Sequence, residues 1–200
     1  MGGSSFSYSI VKGLAERKDI FANLAGFSSW SLNVGSPGSA TRVPGALVTG
    51  EYYTTLGLNP TVGRLLVPED DRTGAPLVAV LRYGYWRRQY VSSPDVVGRA
   101  ILVNGIPVTI AGVSPPGFVG ANVGAVADIT MAAAALPRIT PEAAGLLGPG
   151  NFWLRILARP AVSIPETKAR LAAEWPGLSE SVVSPVWPND RQESSGARQI

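Results

Sequence analysis

Residues 100–113 read AILVNGIPVTIAGV, and Asn104-Gly105 sits between two apolar runs. A type I′ turn needs positive φ at both central residues, and Asn-Gly supplies it at least cost. Ile101 and Val103 fall on one face of the first run, Val108 and Ile110 on one face of the second. Pro115-Pro116-Gly117 then stops the ladder, because proline has no N–H to donate. This spacing predicts a two-residue β-hairpin with a hard stop at its end. None of its side chains is reactive, so its role is structural.

The rest of the chain is organised around similar short elements. Ser7 is placed to cap a helix from Tyr8 to about Lys18, with Ile10, Val11 and Leu14 on its apolar side. Asp19 is placed to cap a second short helix, Ile20 to Ala25. Phe27 to Val34 and Thr41 to Thr49 read as paired strands around a Gly/Ser/Pro turn, with Pro44 marking an edge or bulge. Gly50 to Leu56 reads as a short helix ended by Gly57. Leu58 to Gly74 reads as a loop with an acidic tip, Glu69-Asp70-Asp71. Leu77 to Leu81 is a buried-type strand, and Tyr83 to Val91 a helix with Tyr83, Trp86 and Tyr90 on one side. After the hairpin, Asp128 to Ala132 reads as a strand and Thr140 to Leu147 as a short helix. Phe152 to Arg159 reads as a strand. Ser163 with Glu166 forms a capping box for a helix to about Trp175, and Val182 to Val186 reads as a last strand. Patterns of α/β type at both ends bracket a turn-rich middle. They predict an outer α/β unit drawn from both ends, with a smaller unit inserted.

Composition removes several functions. The chain has no cysteine and no histidine, which excludes thiol chemistry, Cys/His zinc sites and imidazole acid–base catalysis. A net charge of +3 spread along 200 residues is too little for a dedicated nucleic-acid binder. No apolar run approaches the ~20 residues that span a bilayer. The start, MGGSSFSY, lacks the basic and apolar regions of a signal peptide. The expectation is therefore a cytoplasmic protein or a domain from a larger chain, with Met1 to Ser4 as a leader.

Three stretches merit chemical scrutiny. Ser9-Ile10-Val11-Lys12 fits S-x-x-K, but the companion S-D-N and K-T-G motifs are absent, so it reads as a helix start with a surface lysine. Adjacent carboxylates at Asp70 and Asp71 do not face each other across a substrate as glycosidase pairs must, and EF-hand spacing is missing. They read as a solvated loop tip or helix cap. Tyr83 to Tyr90 mixes aromatics with arginines as single-strand binders do, yet the helical spacing of the aromatics favours a core helix with a basic outer side. No phosphate-cradling, dinucleotide or nucleophile-elbow motif is present. No catalytic, cofactor-binding or metal-ligating residue is assigned, and no cofactor.

An ordered string of motifs is more specific than any of these. Tyr53-Thr54-Thr55-Leu56-Gly57-Leu58-Asn59-Pro60-Thr61-Val62-Gly63-Arg64 is followed by Glu69-Asp70-Asp71, Val78-Ala79-Val80-Leu81 and Tyr83-Gly84-Tyr85-Trp86. Then come Asp95-Val96-Val97-Gly98-Arg99, Asn104-Gly105, Val108-Thr109-Ile110, Ala111-Gly112-Val113 and Pro116-Gly117-Phe118. The string resembles the MacB-like periplasmic core domain of ABC transporter permeases, most of all the duplicated-permease branch of acidobacteria. Family members usually carry Lys-Pro-Gly-Val before the last helix; here Arg159-Pro160-Ala161-Val162 departs from it.

The resemblance implies an α+β or α/β fold. A porter-like α/β subdomain with βαβ units takes residues 6–56 and 133–187. An inserted smaller mixed α/β subdomain, 57–132, holds the hairpin, and 1–5 and 188–200 are a disordered leader and tail. It implies a non-catalytic domain on the periplasmic side of the inner membrane, between two membrane helices, acting in export or mechanical coupling. An extracytoplasmic ligand-binding or sensing module is the alternative. The implied partners are a second permease copy or half, a cytoplasmic ATPase domain reached through the membrane helices, and as a further candidate a membrane-fusion protein. No nucleic acid is expected, and the isolated domain is expected to be a monomer.

Overall fold

A computed structural model describes residues 5–122 and 124–183. The leader expected at 1–4 and the tail from 188 lie outside the described residues.

Helix α1 (Tyr8–Glu16) starts where Ser7 accepts a hydrogen bond from the Ile10 amide (3.3 Å), and it buries Ile10, Val11, Leu14 and Ala15. The second helix expected at Ile20 to Ala25 does not form. Strand β1 instead runs from Phe21 to Val34. Its first half is claimed by a strand more than a hundred residues away, β8 (Arg155–Pro160), through pairs such as Leu24↔Ala158 and Gly26↔Ile156. Its second half pairs with β2 (Thr41–Val48), Leu32 opposite Val43.

Helix α2 (Tyr52–Leu56) ends at Gly57. The stretch read as a plain loop holds a two-residue strand, β3 (Val62–Gly63), and a 3₁₀ turn, Pro68–Asp71. β4 (Val78–Leu81) leads into α3 (Tyr83–Tyr90), which buries Tyr85 and Trp86. The hairpin forms as read: β5 (Ala100–Val103) and β6 (Ile106–Val113) pair across Asn104 (φ 51°) and Gly105 (φ 81°). β7 (Ile129–Ala132) is followed by a 3₁₀ turn, Ala133–Ala135, and by α4 (Leu136–Ile139). The segment after it, expected as a helix, is 3₁₀ over Pro141–Leu147. The last helix, α5 (Ile164–Val183), continues through Pro176. The strand expected at Val182 to Val186 is therefore helical at Val182 and Val183, and its remainder lies outside the described residues. Only half of the expected capping box forms. Ser163 Oγ accepts from the Glu166 amide (3.4 Å), while the Glu166 carboxylate takes a bond from Arg170 (2.6 Å).

All eight strands belong to one mixed sheet. The pairings β1–β2, β2–β7, β7–β4, β4–β6, β6–β5 and β5–β1 close a circuit, with β8 and β3 attached outside it. β2 is thus a central strand, and Pro44 is tolerated because the pairing with β7 begins at Gly45. The β2–β7 and β1–β5 pairs join segment 57–132 to the strands before it.

Alternation within each strand sorts the side chains into separate cores. Leu32, Val43, Leu47, Leu81, Ile110, Ile129 and Met131 share the largest, covered by Tyr85 and Trp86 of α3 and Leu136 of α4. Phe27, Ala46, Val48 and Val80 pack with Tyr52, Tyr53 and Leu66, and Phe118 leans on them. The third core lies between α1 and the start of β1, where Ile10, Val11, Leu14, Leu24 and Leu154 meet Leu171 of α5.

Candidate functional site

Helix α1 is held from two sides. On one it meets α5. Arg17 pairs with Glu174 and, at 3.0 Å, with Asp19. The Arg17 hydrogen bond holds the Asp19 carboxyl below the usual carboxylate range. Arg170 donates to the Asp19 carbonyl (2.9 Å), and the Phe6 and Trp175 rings meet edge-on at 6.5 Å. The first and last helices of the described chain therefore dock side by side on the same end of β1.

On the other side α1 meets the middle of the chain. The Lys12 ammonium donates to Asp71 Oδ2 at 3.4 Å and stands 3.9 Å from Glu51 Oε1. Asp71 also accepts from the backbone amides of Gly50 (3.3 Å) and Ala134 (2.9 Å), so one carboxylate ties the turn after β2 to the turn after β7. The Tyr8 hydroxyl donates to the Asp71 carbonyl (3.3 Å). The Asp71 side chain has no exposed surface. Burial pushes its carboxyl above the usual range, against the lowering pull of the Ala134 amide and Lys12. Burial, then the nearby Asp71, pushes the Tyr8 hydroxyl well up.

Asp70, one residue away, points to other partners. Arg64 grips it with two bonds (2.6 and 2.9 Å), and the Val67 amide donates to it (3.0 Å). The acidic stretch, read as a solvated tip or a helix cap, is buried at Asp70 and Asp71, 8% and 2% exposed. Glu69, paired with exposed Arg72, fits the first reading, and Asp70, which takes the Val67 amide at the start of the 3₁₀ turn, fits the second. The two aspartates do not face each other across a cleft; the cavity beside Asp70 holds about 10 Å³, the room of one water.

The S-x-x-K match resolves in the same place. Ser9 Oγ lies 3.3 Å from Ser7 Oγ, and Lys12 is committed to carboxylates. Lys12 and Asp71, which the sequence places in unrelated stretches, meet here; Tyr8 and Gly50 read only as helix starts, and nothing local singles out Glu51. The only hint was a lysine on a helix with several apolar positions, and a lysine names no partner. In the aromatic stretch, Arg87 lies over the Tyr83 ring (6.0 Å), while Arg82 and Arg88 share Asp128 (2.7 and 3.3 Å).

Elsewhere, two open clefts stand out among the described residues. One, about 460 Å³, is framed by Asn33, Pro37, Asn104, Ile139 and Glu142. Its central amide is spoken for: Asn104 accepts from the Asn33 amide (2.9 Å) and donates to the Ile139 carbonyl (2.8 Å). The other, about 450 Å³, is lined by Ser31, Arg42, Pro44 and Val126. Among the described residues, no group of three or more acidic side chains is placed to hold a metal, and no helix is long and apolar enough to cross a membrane.

The model of the MacB-like periplasmic core domain matches residues 2–174. Among solved structures, the extracellular domain of the noncanonic ABC-type transporter YknZ from Gram-positive bacteria is similar, with a TM-score of 0.60 at 11% identity, over 91% of this chain and 84% of that one. The periplasmic region of MacB from Actinobacillus actinomycetemcomitans matches with a TM-score of 0.60 at 16% identity, over 91% and 75% of the two chains. No curated protein sequence matches. With the family model spanning most of its length, this chain belongs to the MacB-like periplasmic core domain family of ABC transporter permeases.

Proposed function

We propose that this domain is a non-catalytic coupling body on the periplasmic face of the inner membrane. It stands between two membrane helices of an ABC permease and carries their movement to extracytoplasmic partners during export. A second permease copy and a cytoplasmic ATPase domain complete the transporter, and a membrane-fusion protein is a candidate partner. The observation that carries this reading is the double anchorage of α1, to α5 through Arg17–Glu174 and to the middle of the chain through Lys12–Asp71. Transmitting a displacement needs packed elements that move together, not a reactive group. The proposed units, 6–56 with 133–187 and 57–132, move as one body in this reading, because strand pairs cross between them.

The test uses the full-length permease. This chain contributes no cysteine of its own, so in a permease cleared of other cysteines an Arg17→Cys/Glu174→Cys pair is specific. Oxidising it should leave transport-coupled ATP turnover intact, whereas Leu171→Asp, which loosens α5, should lower turnover. Loss of turnover on oxidation alone would refute a rigid coupling body. The isolated chain is expected to scatter light as a monomer at micromolar concentration and to bind no ATP, since only the membrane tether raises the effective concentration of copies. Saturable ATP binding at micromolar levels would count against the non-catalytic reading.

A further inference from the structure

Two carboxylates and one ammonium meet between α1 and the sheet. Lys12 Nζ is 3.4 Å from Asp71 Oδ2 and 3.9 Å from Glu51 Oε1, and the Asp71 and Glu51 side chains are 0% and 17% exposed. With both acids ionised, the group carries one negative charge in excess. The oxygens of Asp71 are well supplied, by the Gly50 and Ala134 amides and Lys12. Glu51 Oε2 is not: it is buried and, among the described residues, has no hydrogen-bond partner. A buried anionic oxygen without a donor is costly. A proton shared by the pair removes the excess charge and supplies an O–H.

The surroundings offer no other remedy. From α1 come Lys12 and the Tyr8 hydroxyl, whose proton already goes to the Asp71 carbonyl. From the turn after β2 come Glu51 and the Gly50 amide, and from the turn after β7 only the Ala134 amide. Along the Asp71 turn, Asp70 is neutralised by Arg64, and Glu69 by Arg72.

We propose that the Lys12–Glu51–Asp71 cluster takes up one proton as the pH falls from neutrality towards the usual carboxylate range, and that this proton tightens the seat of α1 on the sheet. The sign follows from linkage. Burial raises the Asp71 carboxyl in the folded chain. A group raised in this way contributes stability that is full below its unfolded pKa, about 3.9, and is lost as pH rises through the folded value. The junction is therefore firmest at the acid end of the window and loosens towards the alkaline end. This inference stands on the chain alone, whether or not the coupling role above holds.

The experiment is amide hydrogen exchange of the 200-residue chain, read at Val11 to Ala15 and corrected for intrinsic exchange. Protection of these amides should fall by up to about tenfold for each unit by which the folded pKa exceeds the unfolded one. Glu51→Gln leaves one acid facing one ammonium and should reduce that dependence, the share set by burial of Asp71 remaining. Carboxyl carbon NMR of the parent chain should show Asp71 titrating above the ordinary aspartate value of about 3.9. The proposal is overturned by an Asp71 midpoint at or below that value, by flat protection across the window, or by an unchanged slope in Glu51→Gln. An equal change at the Ile110 and Met131 amides also overturns it, because the effect would then belong to the whole fold.

Discussion

A Cβ placed on Gly26 would stand 2.9 Å from Val11 Cγ1 and 3.2 Å from Leu154 Cδ1. Glycine sits in β1 where α1 lies closest. Val11 is fully buried there, so it has nowhere to retreat. Gly26→Ala is therefore expected to cost about 1–3 kcal/mol through overpacking. Adding Val11→Ala should recover part of that cost. A double-mutant cycle in denaturant checks it; coupling near zero would mean that the helix and strand adjust independently.

Gly105 has a φ of 81°, and a Cβ added there would meet nothing within 4 Å. Any penalty for a side chain at this position is therefore conformational. Gly105→Val should lower stability by about 1–2 kcal/mol, while Gly105→Asn, which tolerates the left-handed region, should cost less. Thermal melting decides, and an unchanged midpoint for the valine variant contradicts the turn geometry.

Apolar packing, not the terminal ion pair, should dominate the stability of the α1–α5 layer. Leu24 is 1% exposed within its core, and Leu24→Ala should cost about 2–5 kcal/mol. Arg17 and Glu174 keep 28% and 35% of their side chains in water, so Arg17→Ala should cost only about 0.2–1 kcal/mol. Urea titration of both variants separates the two.

Burial pushes the Tyr52 hydroxyl up to about 12, although the Ala121 amide donates to it and pulls the other way. The neutral phenol is the form the fold accepts. Its contribution is full below the unfolded pKa of about 10 and is lost as pH rises through the folded value. Tyrosinate absorbance should show Tyr52 ionising well after the exposed reference, close to alkaline unfolding. Tyr52→Phe should reduce that late component by one tyrosine's share, since burial pushes Tyr8 and Tyr53 up as well. A Tyr52 midpoint near 10 would mean the ring is not packed as described.

The elements legible in the sequence are those whose cause is local. Asn104-Gly105 makes its own turn, Ser7 reaches an amide three residues ahead, and the helical spacing of Tyr83, Trp86 and Tyr90 puts Trp86 in the core, with Tyr83 and Tyr90 half-buried against it; that Tyr85 is buried too was not legible. The order of the motifs carried the family, because many short-range preferences in sequence are improbable together. The candidate junction was largely hidden. Asp71 looked like a solvated acid because charged side chains usually are, and nothing nearby in the chain announces Lys12, Gly50 or Ala134 as its partners.

Residues 20–25 show where local information ends. Asp19 followed by a short apolar stretch suits a helix start and a strand equally, and periodicity cannot separate the two over so few residues. β8 decided the matter by pairing with Phe21 to Phe27. The same holds for the sheet as a whole. Turn chemistry and alternation set where strands begin, end and face, since these depend on neighbours along the chain. Which strands meet, and which buried charges find partners, depends on contacts between residues far apart, and only packing into one closed circuit made those choices.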